Sequence, residues 1–266
     1  MRRAGGHHVR LLIADSDGGY RQPSAILGRF VDDLVEWTGA REAVRVQWPA
    51  PGSGRLRRSH TWESASAAGV ADLNRLVHLH PSDDLVLIGA CCGTRVIHDW
   101  MDAHPENLDR VAAVGLIADP FRPRDRWLVG TSDPGGQGVA GPRRGPIPER
   151  THWVSVPGDP LSGVQPSNLL RGAVRDSDLT PVQVYDELIE NLPDSRTRVA
   201  LRLHVVEHPG RWSPHLLRQL DDVTDTLLTY RDAGYAALYE ADVDGASPLA
   251  RLARDIADQV AADQAA

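Results

Sequence analysis

The chain has 266 residues, 41% of them hydrophobic and 24% charged, enough for a sizeable core and far from the composition of a disordered segment. A formal charge of −7 argues against general binding to nucleic acid or an anionic membrane surface. Two cysteines, adjacent at Cys91 and Cys92, supply no disulfide framework, since a vicinal bridge would be strained.

Val9 to Ala14 is an apolar run of strand length, too short for the core of a signal peptide, and no stretch approaches membrane-spanning length. It ends in the polar turn Asp15-Ser16-Asp17-Gly18-Gly19. A helix is expected from Pro23, with Ile26, Leu27, Phe30, Val31, Leu34 and Val35 on one face, stopping at Gly39. Ala43 to Gln47 predicts a short strand closed by Pro49-Ala50-Pro51-Gly52, and Thr61 can cap the helix that follows. Leu85 to Ile88 predicts a buried strand, followed by a helix through Ile97, Trp100 and Met101.

Val111 to Ala118 is the next strand, ending at Asp119-Pro120-Phe121-Arg122, with Asp119 bracing the turn. A loop rich in glycine and proline spans 123–148, and Trp153 to Val156 predicts a fifth strand before Pro157-Gly158-Asp159-Pro160. Alternating strands and helices imply a parallel sheet covered on both faces, with ligands at the carboxyl ends of the strands. Residues 164–235 are mostly helical in pattern, including Thr180 to Leu192 and His215 to Tyr230, with an ambiguous apolar run at 198–206. The expected organisation is a core at 1–163, a helical insertion or cap at 164–235, and a returning segment at 236–266. The last segment holds a helix from Pro248 to Val260 and a frayed Ala-rich end. Arginines at 55–58 and at Arg143-Arg144 are expected on solvated loops.

Between the third strand and its helix lies Gly89-Ala90-Cys91-Cys92-Gly93. Gly-x-Cys-x-Gly has the spacing of a nucleophile elbow with cysteine in place of serine, where glycines admit neighbouring backbone and a helix N-terminus favours developing negative charge. The bland alternative is that Cys91 and Cys92 are small buried apolar residues. Asp159 and Ser16 read equally as ordinary turn residues. Glu240, Asp242 and Asp244 do not follow the spacing of a calcium loop, and no cofactor or metal is implied.

Four landmarks, Ile13 to Gly19, the elbow, Asp119 to Arg122 with the following Gly-Gly-Gln-Gly-Val-Ala-Gly loop, and Pro157 to Pro160, stand in an order that resembles the cutinase-like serine esterases. They most resemble the lysin B esterases of phages that infect mycobacteria. The resemblance implies a five-stranded α/β hydrolase with Cys91 in the nucleophile's place and Asp159 as triad acid. Cys92 and the Ser16 region stand at the oxyanion-hole positions. The family's histidine falls in a segment matched here by Tyr235 to Glu240, where Ala237 stands at its position.

A thiolate can replace a serine nucleophile, but a missing histidine removes both the base and the acid for the leaving group. His98, His204, His208 and His215 are the candidates to replace it, His98 pointing away from the elbow. The expected function is a phage protein with a degenerate esterase triad, a weakly active or non-catalytic virion or envelope-binding component. It would be made in the host cytoplasm without a signal peptide and carried in the virion or released at lysis. Its partners would be envelope lipid or glycan esters or other phage structural proteins. The alternative is an active cysteine-type esterase acting on mycolyl or other lipid esters.

Overall fold

The structure, a computed structural model, describes residues 8–16, 18, 24, 26–49, 60–143, 145–190, 214–232, 235–242 and 245–265. Five strands form one sheet: β1 (Val9–Ala14), β2 (Ala43–Arg45), β3 (Asp84–Ala90), β4 (Val111–Ile117) and β5 (Thr151–Val154). Their order is β2-β1-β3-β4-β5 and every pairing is parallel. This is the five-stranded parallel α/β sheet that the alternating pattern predicts.

The central strands are buried on both faces, which is why they read as continuous apolar runs. On one face Leu12, Leu85, Leu87, Val114 and Leu116 meet α2 (Trp62–Leu79) and α3 (Thr94–Ala103). On the other, Leu11, Ile13, Val86, Ile88 and Ala113 pack with α1 (Gly28–Thr38) and a long helix at Pro248–Ala265. Between β5 and that helix come α4 (Leu170–Arg175), α5 (Pro181–Glu190), α6 (Pro214–Asp232) and α7 (Tyr235–Glu240), so Pro248–Ala265 is α8. Val174, Val184, Tyr185 and Leu227 from this block join the same core as α1 and α8. No helix among the described residues is long and apolar enough to cross a membrane.

Several boundaries differ from the sequence expectation. Helix α1 starts at Gly28, and the buried Ile26 and Leu27 lie in the turn before it. Their burial mimics helical spacing. Strand β5 begins two residues earlier than expected, because Thr151 and His152 pair with Val114 and Gly115 at the sheet edge. Ser155 and Val156 instead start the turn that carries Asp159. Helix α8 continues through the Ala-rich stretch to Ala265 rather than fraying at Val260. The expected turn at Pro49 to Gly52, the arginines at 55–58 and the run at 198–206 fall wholly or largely outside the described residues.

Thr61 caps α2 as expected: its side-chain oxygen accepts a hydrogen bond from the Ser64 amide at 3.1 Å. Thr61 is itself exposed, so little besides the cap is lost when it is truncated. Thr61→Ala should lower stability by about 1 kcal/mol, read as a shift in the urea midpoint without a change of slope.

Candidate active site

The elbow is built where β3 gives way to a 3₁₀ turn at Cys91–Gly93 and then to α3. Cys91 has φ +50°, in the left-handed region, a conformation costing a non-glycine residue on the order of 1–3 kcal/mol. Both flanking glycines are sterically demanded. A Cβ on Gly93 would stand 2.2 Å from the Ala14 carbonyl oxygen, and one on Gly89 would stand 2.9 Å from Thr94 Cα. The turn therefore presses against the end of β1 while α3 crosses the end of its own strand. Thr94 Oγ1 donates to the Cys91 carbonyl at 2.7 Å and holds the turn closed.

Neither cysteine is in a disulfide, both are buried, and they face opposite layers: Cys91 joins the α1–α8 core and Cys92 the α2–α3 core. The Cys92 carbonyl accepts the Trp62 indole N–H at 3.3 Å. At the end of β1, the fully buried Asp15 accepts the Ser24 amide at 2.9 Å and Arg45 Nη2 at 2.8 Å. The half-buried Ser16 donates its hydroxyl to Asp15 at 3.3 Å. Ser16 thus follows the β1 end that touches the elbow, and its hydroxyl is turned to its neighbour.

Asp159 is 1% exposed and lies in the turn after β5. Its Oδ1 accepts the amides of Leu161 at 2.7 Å and Ser162 at 3.2 Å. Its Oδ2 accepts the Ser162 hydroxyl at 2.5 Å and the Tyr239 hydroxyl in a short hydrogen bond. Since Ser162 spends its one proton on Asp159, Ser155 Oγ donates to Ser162 Oγ across 2.6 Å. A carboxylate offers about four lone-pair sites, so these donors occupy the group completely. Burial pushes the Asp159 carboxyl above its ordinary value, and the four donors offset that only in part.

From α7, Tyr239 reaches Asp159 and is fully buried, whereas Ala237 is exposed to solvent. Burial, then the neighbouring Asp159, hold the Tyr239 phenol well above its ordinary range, with a smaller contribution from Cys91. Tyr239 is therefore a neutral hydroxyl whose proton points at the carboxylate, in the electrostatic reach of both Asp159 and Cys91. Tyr185 and Tyr230 complete an aromatic wall: their rings meet edge to face at 5.3 Å, and the Tyr185 hydroxyl donates to the Pro160 carbonyl at 2.7 Å. Sequence reasoning passed over Tyr239. The signal available was that a buried carboxylate needs donors, and Tyr239 stands only two residues from the expected histidine position.

Of the histidines considered, His98 is buried and turned to Asp119, its Nε2 at 2.8 Å from Oδ2. Asp119 also accepts the Trp153 indole at 2.8 Å and the Phe121 amide at 2.9 Å, and so braces the end of β4. Burial alone would raise the Asp119 carboxyl, but His98 and these two donors together hold it below its ordinary value. His204 and His208 lie outside the described residues, and His215 lies in α6. Among the described residues, the donors to the Asp159 carboxylate are Leu161, Ser162 and Tyr239.

Arg122 organises the long loop from its beginning. Fully buried, its Nε donates to the Ser162 carbonyl at 2.8 Å, and Nη1 to those of Pro123 and Arg126 at 3.1 and 2.8 Å. Its Nη2 reaches the carbonyls of Gly135 and Gly136 at 2.6 and 3.2 Å. Burial lowers the pKa of this guanidinium, while Asp159, the largest opposing charge, works to keep it protonated. Arg143, expected on a solvated loop, instead has a side chain only 5% exposed and pairs with Asp102 at 2.5 Å.

No protein-family model matches the chain, and no curated protein matches it by sequence. Solved structures resemble it in backbone course. The catalytic core of acetyl xylan esterase from Trichoderma reesei is 15% identical, with 64% of this chain and 91% of that one covered at a TM-score of 0.46. A cutinase-like protein from Cryptococcus sp. is 19% identical over 59% of this chain and 79% of its own, at 0.44. Lysin B from Mycobacteriophage D29 is 15% identical over 82% of this chain and 98% of its own, at 0.45.

Proposed function

We propose that this chain is an esterase-type α/β scaffold whose hydrolytic machinery is degenerate and which now acts by binding, as a lysin B-like virion or envelope-binding component of an actinobacterial phage. One observation carries the loss of catalysis: the four acceptor sites of Asp159 are taken by Leu161, Ser162 and Tyr239. An imidazole could gain its orienting carboxylate only by displacing a buried donor. A neutral tyrosine cannot replace it, because a phenol held well above its ordinary pKa neither takes the thiol's proton nor shuttles it at neutral pH. The phage and envelope setting rests on the order of sequence landmarks alone.

The test is hydrolysis of p-nitrophenyl acetate and butyrate by the purified protein beside its Cys91→Ala variant. Both proteins should give the same rate, at most the roughly 10³–10⁴ over water that binding and backbone donors supply without a triad. Rapid turnover that vanishes in Cys91→Ala would overturn the proposal.

A second reading has its own observation. Cys91 retains the left-handed backbone of a nucleophile elbow, strain that a purely structural cysteine would not require. On that reading the chain is a cysteine-type esterase served by His204, His208 or His215. Alkylation by iodoacetamide would then abolish turnover, and one of the three His→Ala variants would be inactive.

A further inference from the structure

Away from Cys91, helix α3 and the loop after β4 flank a half-open cavity of about 330 Å³, lined by His98, Asp99, Asp102, Phe121 and Arg143 among others. His98 stands about two helical turns beyond Cys91. Two of the lining side chains carry a buried nitrogen without a hydrogen-bond partner among the described residues: His98 Nδ1 and Arg143 Nε. Another nitrogen of each is engaged elsewhere. His98 Nε2 is fixed on Asp119, and Arg143 Nη2 is held by Asp102 and by the Pro146 carbonyl at 3.1 Å. Buried orphan nitrogens of this kind are costly, and two on the walls of one cavity mark a place where something else supplies the partner.

The chemistry of the walls narrows what that is. Asp119 accepts hydrogen bonds only, so His98 Nε2 carries a proton, and Nδ1 accepts or donates according to whether it carries a second one. Arg143 Nε is a donor. A hydroxyl, donor and acceptor at once, can pair with His98 Nδ1 in either state while accepting from Arg143. Asp99 and Asp102 can accept further hydroxyl protons, and together they make the cavity inhospitable to an anion. Asp99 is already oriented by the Ser66 hydroxyl at 2.6 Å and by Arg95 Nε at 3.2 Å, so its carboxylate is held in place. Phe121 supplies an apolar surface of the kind that C–H faces of a sugar ring pack against, and its own ring is fixed by stacking on Trp62 at 5.2 Å. The volume is at the lower end of small-molecule sites, about 300–1,000 Å³.

We infer that this cavity is a binding site for a neutral, polyhydroxylated ligand, one or two sugar units in size. It is separate from the elbow but joined to it mechanically, since Phe121 stacks on Trp62 and Trp62 donates to the Cys92 carbonyl. Occupancy would thus be felt at the turn that carries Cys91. The site does not depend on whether the elbow hydrolyses esters.

Saturation-transfer difference NMR with D-glucose, D-galactose, D-xylose and cellobiose tests it, with sodium sulfate and spermidine as charged competitors, on the full chain carrying Cys91→Ala. At least one sugar should give a saturable signal that neither charged compound displaces. Two conservative variants should each weaken it by roughly tenfold, the loss of one good hydrogen bond. Arg143→Lys keeps the charge but lacks Nε, and Asp99→Asn keeps the shape but loses an acceptor. Unfolding midpoints for both variants close to the parent's make the loss one of binding and not of folding. The inference falls if no sugar saturates, leaving the cavity a hydration site. It falls equally if sulfate or spermidine binds in the sugars' place, or if both variants fold and bind sugar with unchanged affinity.

Discussion

Arg122→Met should destabilise the protein by about 3–5 kcal/mol, because it leaves several buried carbonyls without a donor at roughly 1–3 kcal/mol each. The guanidinium is fully buried and donates to the carbonyls of Ser162, Pro123, Arg126, Gly135 and Gly136. Methionine fills much of the volume but leaves those acceptors facing an apolar chain. The negative charge of Asp159 would lose the cation that opposes it. Arg122→Lys should recover little, because three donors on a point charge cannot span the fork that five planar ones cover. Urea unfolding of the two variants beside the parent checks this, and a loss below about 1 kcal/mol would mean the carbonyls find water instead.

Tyr239→Phe should cost about 3 kcal/mol at neutral pH, since it withdraws one of four donors from a buried carboxylate. The pH dependence carries its signature. The folded pKa of Asp159 lies above the ordinary 3.8, with burial the main cause, so the folded state holds its proton when the unfolded chain has lost it. This group therefore lowers stability as pH rises from near 3.8 through its folded pKa, and the loss levels off above that. Removing the Tyr239 donor raises the folded pKa further and widens the window. The difference between Tyr239→Phe and parent should be smallest near pH 4 and should grow as pH rises through the folded pKa of Asp159. A difference that is flat with pH would place the cost in packing and not in the carboxylate.

These two residues also show where sequence reasoning stops. The sheet was legible because β1, β3 and β4 are buried on both faces and must be apolar throughout. Strand β5, at the edge, carries polar Thr151 and His152, and its start was misplaced for that reason. The elbow was legible because its glycines answer a steric demand from backbone a few ångströms away. Arg122 left no comparable trace: an arginine bonded to carbonyls has partners of any residue type. Nor does the pattern of a six-residue helix say that Tyr239 turns inward while Ala237 faces solvent. Arg143 looked like half of an exposed basic pair, and its burial depends on Asp102, which is 41 positions away in sequence.

The two faces of the sheet are closed by very different lengths of chain. Helices α2 and α3 flank β3 in sequence and cover their face with nearby residues. The opposite face is closed by α1 packed on α8, residues 28–38 against residues 248–265. Bringing those helices together means closing a loop that contains nearly the whole domain, and such non-local contacts are the slow ones. Refolding should therefore pass through a state with the α2–α3 layer formed and the opposite face bare. Val86, Ile88 and Ala113 would be exposed in that interval, and the protein would be most vulnerable to aggregation then.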